Sequence, residues 1–561
     1  MLEESWRNGA DPLILAVMTA LAALLTLAAL PAAAQKMDHS RMGHATPQAD
    51  ERLGTVSFPV SCASASQAPF NRGVALLHNF WYEEARRQFD QLVKSDPGCA
   101  MAHWGVAMSI FHQIWDRPSP KDNKLGWAGM RRAQSLKAGS ARERDYIAAL
   151  AAFYRPGSTK FPARIEAYSK AMGELQAKYP DDVDAGVFHA LSLLAAQKPD
   201  DLSLTAQRKA MAVLTPLFAK HPDNPGVLHY ITHACDNPAM ARDALTAAGR
   251  YGAVAWSGPH AFHMPGHIYS RLGLWAMEIA SQLGSIASSE KAETHGASGV
   301  MDEPHSYEFL LYAYLQSGLD GLAKSVLARS AAPLAAIESM HGMGPGTVQY
   351  FKTKLPVFYA LEMRDWKAAA ALEPVAKSAP EVSVLVYWAR AMAAGRLRDR
   401  EQARAELAEY DDLMARLKKG SRAYVTEGAA PKIERFEMRA WVAFAEGNAD
   451  EALKNMRSAA DLQDQVGQGE VDIPAREMLA DILLELGRPR EALVEYEAAN
   501  KLSPNRLNGL YSAGRAAEAA GDKRMAVSFY QALLKSTHNG EKSARPELAH
   551  ARSFVSAAGA S

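Results

Sequence analysis

From about residue 68 to the C-terminus, one hydrophobic period runs through the chain. Alanine and leucine recur at three- and four-residue steps while alternating β-branched runs are nearly absent, a pattern that selects helix over strand. Breakers interrupt it at short intervals: Asp96-Pro97-Gly98, Pro180-Asp181-Asp182, Pro222-Asp223, Gly487-Arg488-Pro489, Ser503-Pro504-Asn505 and Gly521-Asp522. Proline and glycine end helices, so the interruptions predict helices of about 12–16 residues joined by tight turns. A helix that short cannot bury its apolar stripe alone. The pattern therefore predicts an all-α array of helical hairpins in which each hairpin is covered by its neighbours.

The repeat length follows from small and aromatic residues. Ala492, Tyr496 and Ala499 recur 34 positions on as Ala526, Tyr530 and Leu533, with Pro504 closing the first unit and Gly514 opening the second. Gly73, Ala85, Phe89 and Pro97 occupy the same frame near the start. Small residues where two helices cross, an aromatic four residues after the second-helix alanine and a closing proline are the marks of the tetratricopeptide repeat (TPR), which is about 34 residues long. Degenerate units lie around Ala452, from Tyr312 to Ala323 and through 229–285. The expectation is a TPR-like solenoid with a divergent N-terminal half at 58–335, a more regular C-terminal array at 350–540 and a tail at 541–561. The boundary falls at Ser339-Met340-His341-Gly342-Met343-Gly344-Pro345-Gly346, which cannot continue a helix.

Composition narrows the function classes. Hydrophobic residues make up 48% of the 561 and charged residues 22%, which excludes wholesale disorder. The 62 basic and 62 acidic side chains cancel, and without a basic surplus nucleic acid is not the main partner. Three cysteines are too few for a disulfide scaffold.

Residues 1–34 set the compartment. Leu13 to Ala34 is uncharged and ends in Ala32-Ala33-Ala34, the form of a secretory signal core and its small-residue cut site. Its flank carries Glu3, Glu4 and Asp11 against Arg7, so an uncleaved membrane anchor stands as the alternative. Either way the remainder is an exported body, periplasmic or held at the membrane only by this segment. Export permits a bridge between Cys62 and Cys99, which flank one predicted hairpin; two free small core residues are the other reading.

Of the 17 histidines, seven lie between 229 and 305: His229, His233, His260, His263, His267, His295 and His305. His229 and His233 are four apart, and so are His263 and His267. On a helix, side chains at that spacing share one face about 5–6 Å apart at Cβ, which suits two imidazoles on one ion. Two such pairs on adjacent hairpins would offer four nitrogens to a transition metal such as copper or zinc, with Asp236 or His305 as supporting or additional groups. The competing reading is a buried, hydrogen-bonded histidine network. In the 34-residue frame Gly266 takes the first-helix glycine position, placing His263 and His267 on the helix that lines the concave groove, with Pro265 near its start. Glu278 stands where the repeat has alanine. No glutamate follows His229 or His263, so the H-E-x-x-H metalloprotease pattern is absent. Cys235 reads as a small core residue.

A second cluster, Met37-Asp38-His39-Ser40-Arg41-Met42-Gly43-His44, lies in the polar tether at 35–57. Thioethers with imidazoles favour copper, Met selecting Cu(I), and a plain polar tail is the alternative. Trp81, Trp104, Trp115 and Trp275 lie on apolar faces and read as inter-hairpin packing.

The stretches FNRGVALLHNFWYEEARRQF, LHYITHACDNP, HAFHMPGHIYSRLGLW and PAREMLADILLELGRPREALVEYEAANKLSPNR resemble a family of exported bacterial TPR proteins of poorly defined function. The histidine motifs HxxxH and HxxHxPxH are the specific part of the resemblance, which runs from about 58 to 540. It implies a TPR-like fold and a distinctive mid-chain pocket and supplies no reaction. Three functions follow: a scaffold binding a protein or peptide on its concave surface, a metal-handling protein for copper, and a metal-dependent enzyme. No nucleophile motif, phosphate-cradling loop or acid/base pair accompanies the histidines, so the enzyme ranks last and no catalytic residue is assigned.

Overall fold

The computed structural model describes residues 50–561 apart from 115–116, 158–159, 199–200, 295–302, 339–344, 420–427, 468, 539–542 and 560–561. The Leu13 to Ala34 run and the tether residues Met37, His39, Met42 and His44 lie outside the described residues, as do Trp115, His295 and most of the glycine-rich stretch. The regular structure described is helical from end to end. Consecutive antiparallel helices make the hairpins, beginning with Gln67–His78 and Tyr82–Ser95 and continuing to Leu507–Ala519 and Lys523–Ser536. The architecture is an all-α, TPR-like solenoid. Among the described residues, no helix is long and apolar enough to cross a membrane.

Close helix crossings explain the glycines of the repeat. A Cβ at Gly73 would sit 2.5 Å from the Phe89 ring, and one at Gly514 would sit 2.3 Å from Tyr530. Both distances are well inside van der Waals contact, so only glycine lets the second-helix aromatic close over the first helix. Trp104 packs against Phe58, Phe70 and Tyr146 in the same interior, and Trp275 packs against Tyr312. Cys62 and Cys99 are joined by a disulfide, with Cα atoms 4.9 Å apart, which ties the incoming segment to the start of helix Ala100–Met108. Cys235 is buried, its thiol against the Met211 sulfur.

The buried apolar residues form two main clusters, one from Leu53 to Ala292 and one from Trp275 to Ala516. They meet in the mid-chain helices Pro259–Arg271, Trp275–Thr294 and Glu303–Gln316, which also touch the C-terminal hairpins. Trp275 Nε1 donates to the Asn505 carbonyl at 2.7 Å, and Leu507 N donates to Gln316 Oε1 at 2.9 Å. Arg506, fully buried, bridges Glu362 at 2.8 Å and Glu477 at 2.9 Å. A buried charge is tolerable only when paired, so this knot ties helix Pro345–Glu362 to the C-terminal helices Ala475–Glu485 and Leu507–Ala519. The histidines lie where the two apolar clusters meet.

Candidate metal centre

Two helices carry five of the histidines. Asn224 caps the first, its side-chain oxygen accepting from Val227 N at 3.1 Å, and Pro225 fills the first position, where a missing N–H costs nothing. On this helix, Pro225–Ala234, His229 and His233 stand one turn apart. The second helix, Pro259–Arg271, begins at Pro259, so Pro265 is interior to it. That corrects the expectation that Pro265 marks a helix start, and it brings His260 onto the same helix as His263 and His267. The spacing i, i+3, i+7 puts all three on one face.

The structure arranges these residues as two trios. Ring nitrogens of His229, His233 and His260 lie within 4.8 Å of one another, and so do those of His263, His267 and His305. One four-nitrogen set built from the two i,i+4 pairs was the expectation. Instead each pair takes a third histidine, because His260 turns back towards the 229–233 pair and His305 arrives from helix Glu303–Gln316. The trios adjoin, with His260 and His263 ring centroids 5.7 Å apart.

Aromatic rings wall the first trio. Phe80 packs 4.3 Å from the His229 ring, 5.5 Å from His233 and 5.6 Å from His260, while Tyr251 stacks on His229 at 5.1 Å. His229 Nδ1–H donates to the His78 carbonyl at 2.6 Å, which leaves its Nε2 lone pair facing inward. The Nε2 atoms of His229 and His233 are buried and have no hydrogen-bond partner among the described residues. Burial, reinforced by neighbouring imidazoles, holds the pKa of His229, His233 and His260 well below the ordinary range, so these rings are neutral at pH 7.

Carboxylates and an amide hold the second trio from outside. His263 Nδ1–H donates to Gln282 Oε1 at 2.9 Å, His267 Nδ1–H to Asp236 at 2.9 Å and His305 Nδ1–H to Glu308 at 2.9 Å. Glu470 lies 3.4 Å from the same His267 nitrogen, and Arg271 joins Asp236 at 3.0 Å to Glu470 at 2.8 Å. Glu308 also pairs with the partly buried Lys354. With their outer nitrogens so committed, the Nε2 atoms of His263 and His267 meet at 2.9 Å. Burial opposes charge on His267, but Asp236 and then Glu470 outweigh it and raise its pKa to about 10. The metal-free ring therefore keeps a proton, which His267 Nε2 donates to His263 Nε2.

The repeat frame shows how this hairpin departs from its neighbours. Gln282 occupies the aromatic position that Phe89 and Tyr530 hold elsewhere, and a Cβ at Gly266 would come within 2.0 Å of its amide nitrogen. A site used for packing in the ordinary repeat here braces His263. Glu278, at the alanine position, is fully buried, and burial raises its carboxyl well above the usual range. His263 is 1% exposed, so the second helix does not present its histidines to an open groove. A cavity of about 860 Å³ lies alongside instead, with Asp236 and Arg271 in its wall together with Gln113, Arg117, Gln463 and Lys501.

Sequence reasoning missed the supports: His78, Phe80, Gln282, Glu308 and Glu470. His78 is buried between Asp184 at 2.9 Å and Tyr230 at 3.1 Å, which positions the carbonyl that His229 uses. Only Gln282 left a local signal, as a polar residue at an aromatic repeat position. Glu308 lies one turn from His305 on the same helix, whereas His78, Phe80 and Glu470 come from 149 or more positions away.

The tetratricopeptide repeat family profile matches residues 473–506, the unit holding Ala492, Tyr496, Ala499 and Pro504. No curated protein matches the chain. Among solved structures, yeast Tom70 is 13% identical, covering 88% of this chain and 96% of its own, with a TM-score of 0.33. The human IFIT1 dimer with m7Gppp-AAAA is 11% identical, covering 82% of this chain and 94% of its own, with a TM-score of 0.34. The family match spans one repeat, and the all-α fold rests on the helices described above.

Proposed function

We propose that this chain is an exported helical-repeat scaffold that binds a protein or peptide segment and holds a transition metal, copper or zinc, in its mid-chain histidines. The observation that carries the metal reading is the pair of buried, unpartnered Nε2 atoms on His229 and His233 within a six-histidine cluster. A buried polar nitrogen without a partner is costly, and three imidazole nitrogens aimed at one point are what a first-row ion requires. Outward N–H bonds to a carbonyl, an amide and carboxylates are the usual support of metal-binding histidines. The residues that would hold the ion are His229, His233, His260, His263, His267 and His305, with Asp236 bracing His267.

The scaffold reading is supported by the solenoid, whose stacked hairpins present an extended surface, and by the cavity beside the cluster. Asp236 and Arg271 belong to both the cavity wall and the metal supports, so a segment seated there would sense the occupied centre. The Leu13 to Ala34 run and the Cys62–Cys99 disulfide favour an oxidising, exported compartment. Metal analysis of full chain purified without an affinity tag tests the metal reading. At least one equivalent of copper or zinc is expected after reconstitution. Less than about a tenth of an equivalent would sink it, since a preformed all-imidazole site binds far above that level.

A further inference from the structure

The two trios differ in one physical respect, and it decides how many ions the cluster takes and of what charge. A first-row ion bonds imidazole nitrogen at about 2.0–2.1 Å, so a single ion cannot reach six nitrogens arranged as two separate groups. His229 and His233 are packed by rings and backbone, namely Phe80, Tyr251 and the His78 carbonyl, and Glu470 acts on His233 only at longer range. Among the described residues, no carboxylate hydrogen-bonds His229 or His233. Around the second trio stand Asp236, Glu470 and Glu308, partly offset by Arg271 and Lys354. With a metal ion in place of the His267 proton, that leaves one fixed negative charge in excess. The penalty for moving an ion into a low-dielectric interior grows as the square of its charge, so a divalent ion costs about four times a monovalent one where nothing compensates it.

Resting on the metal reading above, we propose that the cluster is a two-ion centre: a monovalent Cu(I) site at His229, His233 and His260, and a divalent site for zinc or Cu(II) at His263, His267 and His305. Imidazole accepts copper and zinc alike, so surrounding charge and not ligand type separates the two. The two sites are neighbours through His260 and His263.

Native mass spectrometry of the untagged full chain tests this, with zinc alone and then with Cu(I) added anaerobically under ascorbate. Zinc alone should add one ion, lost in His305→Gln and kept in His233→Gln. Cu(I) should add a second ion, lost in His233→Gln and kept in His305→Gln. Both substituted residues are only partly buried, and the unaltered site in each variant reports that the chain is folded. Two zinc ions taken up with equal ease would overturn the charge assignment. One ion in total, lost in both variants, would overturn the two-ion centre while leaving a histidine metal site in place. No bound ion of either kind would refute the underlying metal reading itself.

Discussion

Gln282→Met isolates the support of one histidine with little change in shape. Gln282 receives His263 Nδ1–H at 2.9 Å and donates its own amide to the His263 carbonyl at 3.4 Å. Methionine fills a similar volume and can make neither bond as well, so the buried imidazole N–H loses its good acceptor and keeps only the 3.4 Å contact to Ser306 Oγ. Leaving one such donor unsatisfied costs about 1–3 kcal/mol, and the longer second bond adds less. We therefore expect an unfolding free energy lower by about 2 kcal/mol, read as a shift in urea midpoint at unchanged slope. The effect on metal should be separate. Without the Gln282 anchor the His263 ring turns, and loss of such an anchor weakens metal affinity about 10- to 100-fold. A competitive chelator titration measures that loss. Unchanged affinity alongside the expected stability loss would refute the role given to Gln282 and show a packing residue only.

Other outcomes follow from the same structure. Gly514→Ala drives a Cβ into the Tyr530 ring and should cost about 1–3 kcal/mol, whereas Gly266→Ala meets only the flexible end of Gln282, so it should cost less stability and more metal affinity. Removing the Cys62–Cys99 bridge by double serine substitution opens a 37-residue span and should lower stability by up to about 4 kcal/mol, checked by thermal unfolding against oxidised wild type, with reduced wild type expected to match the variant. Burial pushes the Asp481 carboxyl up, but Arg364 and Arg396 outweigh it and hold its pKa below the usual range. A depressed carboxyl stabilises above its unfolded value of about 3.9 and loses that contribution as pH falls through the folded value, so Asp481→Asn should destabilise by about 3–5 kcal/mol at pH 7 and by progressively less under acid. Urea titrations of both proteins at several pH values check the convergence.

The repeat was legible because its determinants are local. Gly73 with Phe89 and Gly514 with Tyr530 sit at fixed offsets, and the contact each pair makes is the one the frame implies. The histidine motifs were legible for the same reason, since His229 with His233 and His263 with His267 share helix faces at one-turn spacing. Their grouping was not. His260 joins the first pair only because its helix begins at Pro259 and packs across Pro225–Ala234, and His305 joins the second because a later helix crosses it. Phe80 sits on the His229 ring from 149 positions away, and His78 meets it from 151. Contacts of that range are set by how hairpins stack, which no local spacing encodes. Pro265 misled because an interior proline sacrifices only the bond to the Ala261 carbonyl, a loss this helix absorbs.

Anomalous scattering would place each ion against its own histidine trio. Crystals of the chain reconstituted with zinc and Cu(I) would be measured at both absorption edges. A zinc peak among His263, His267 and His305 and a copper peak among His229, His233 and His260 are expected. An empty cluster, with peaks only at surface residues or none at all, would contradict that assignment.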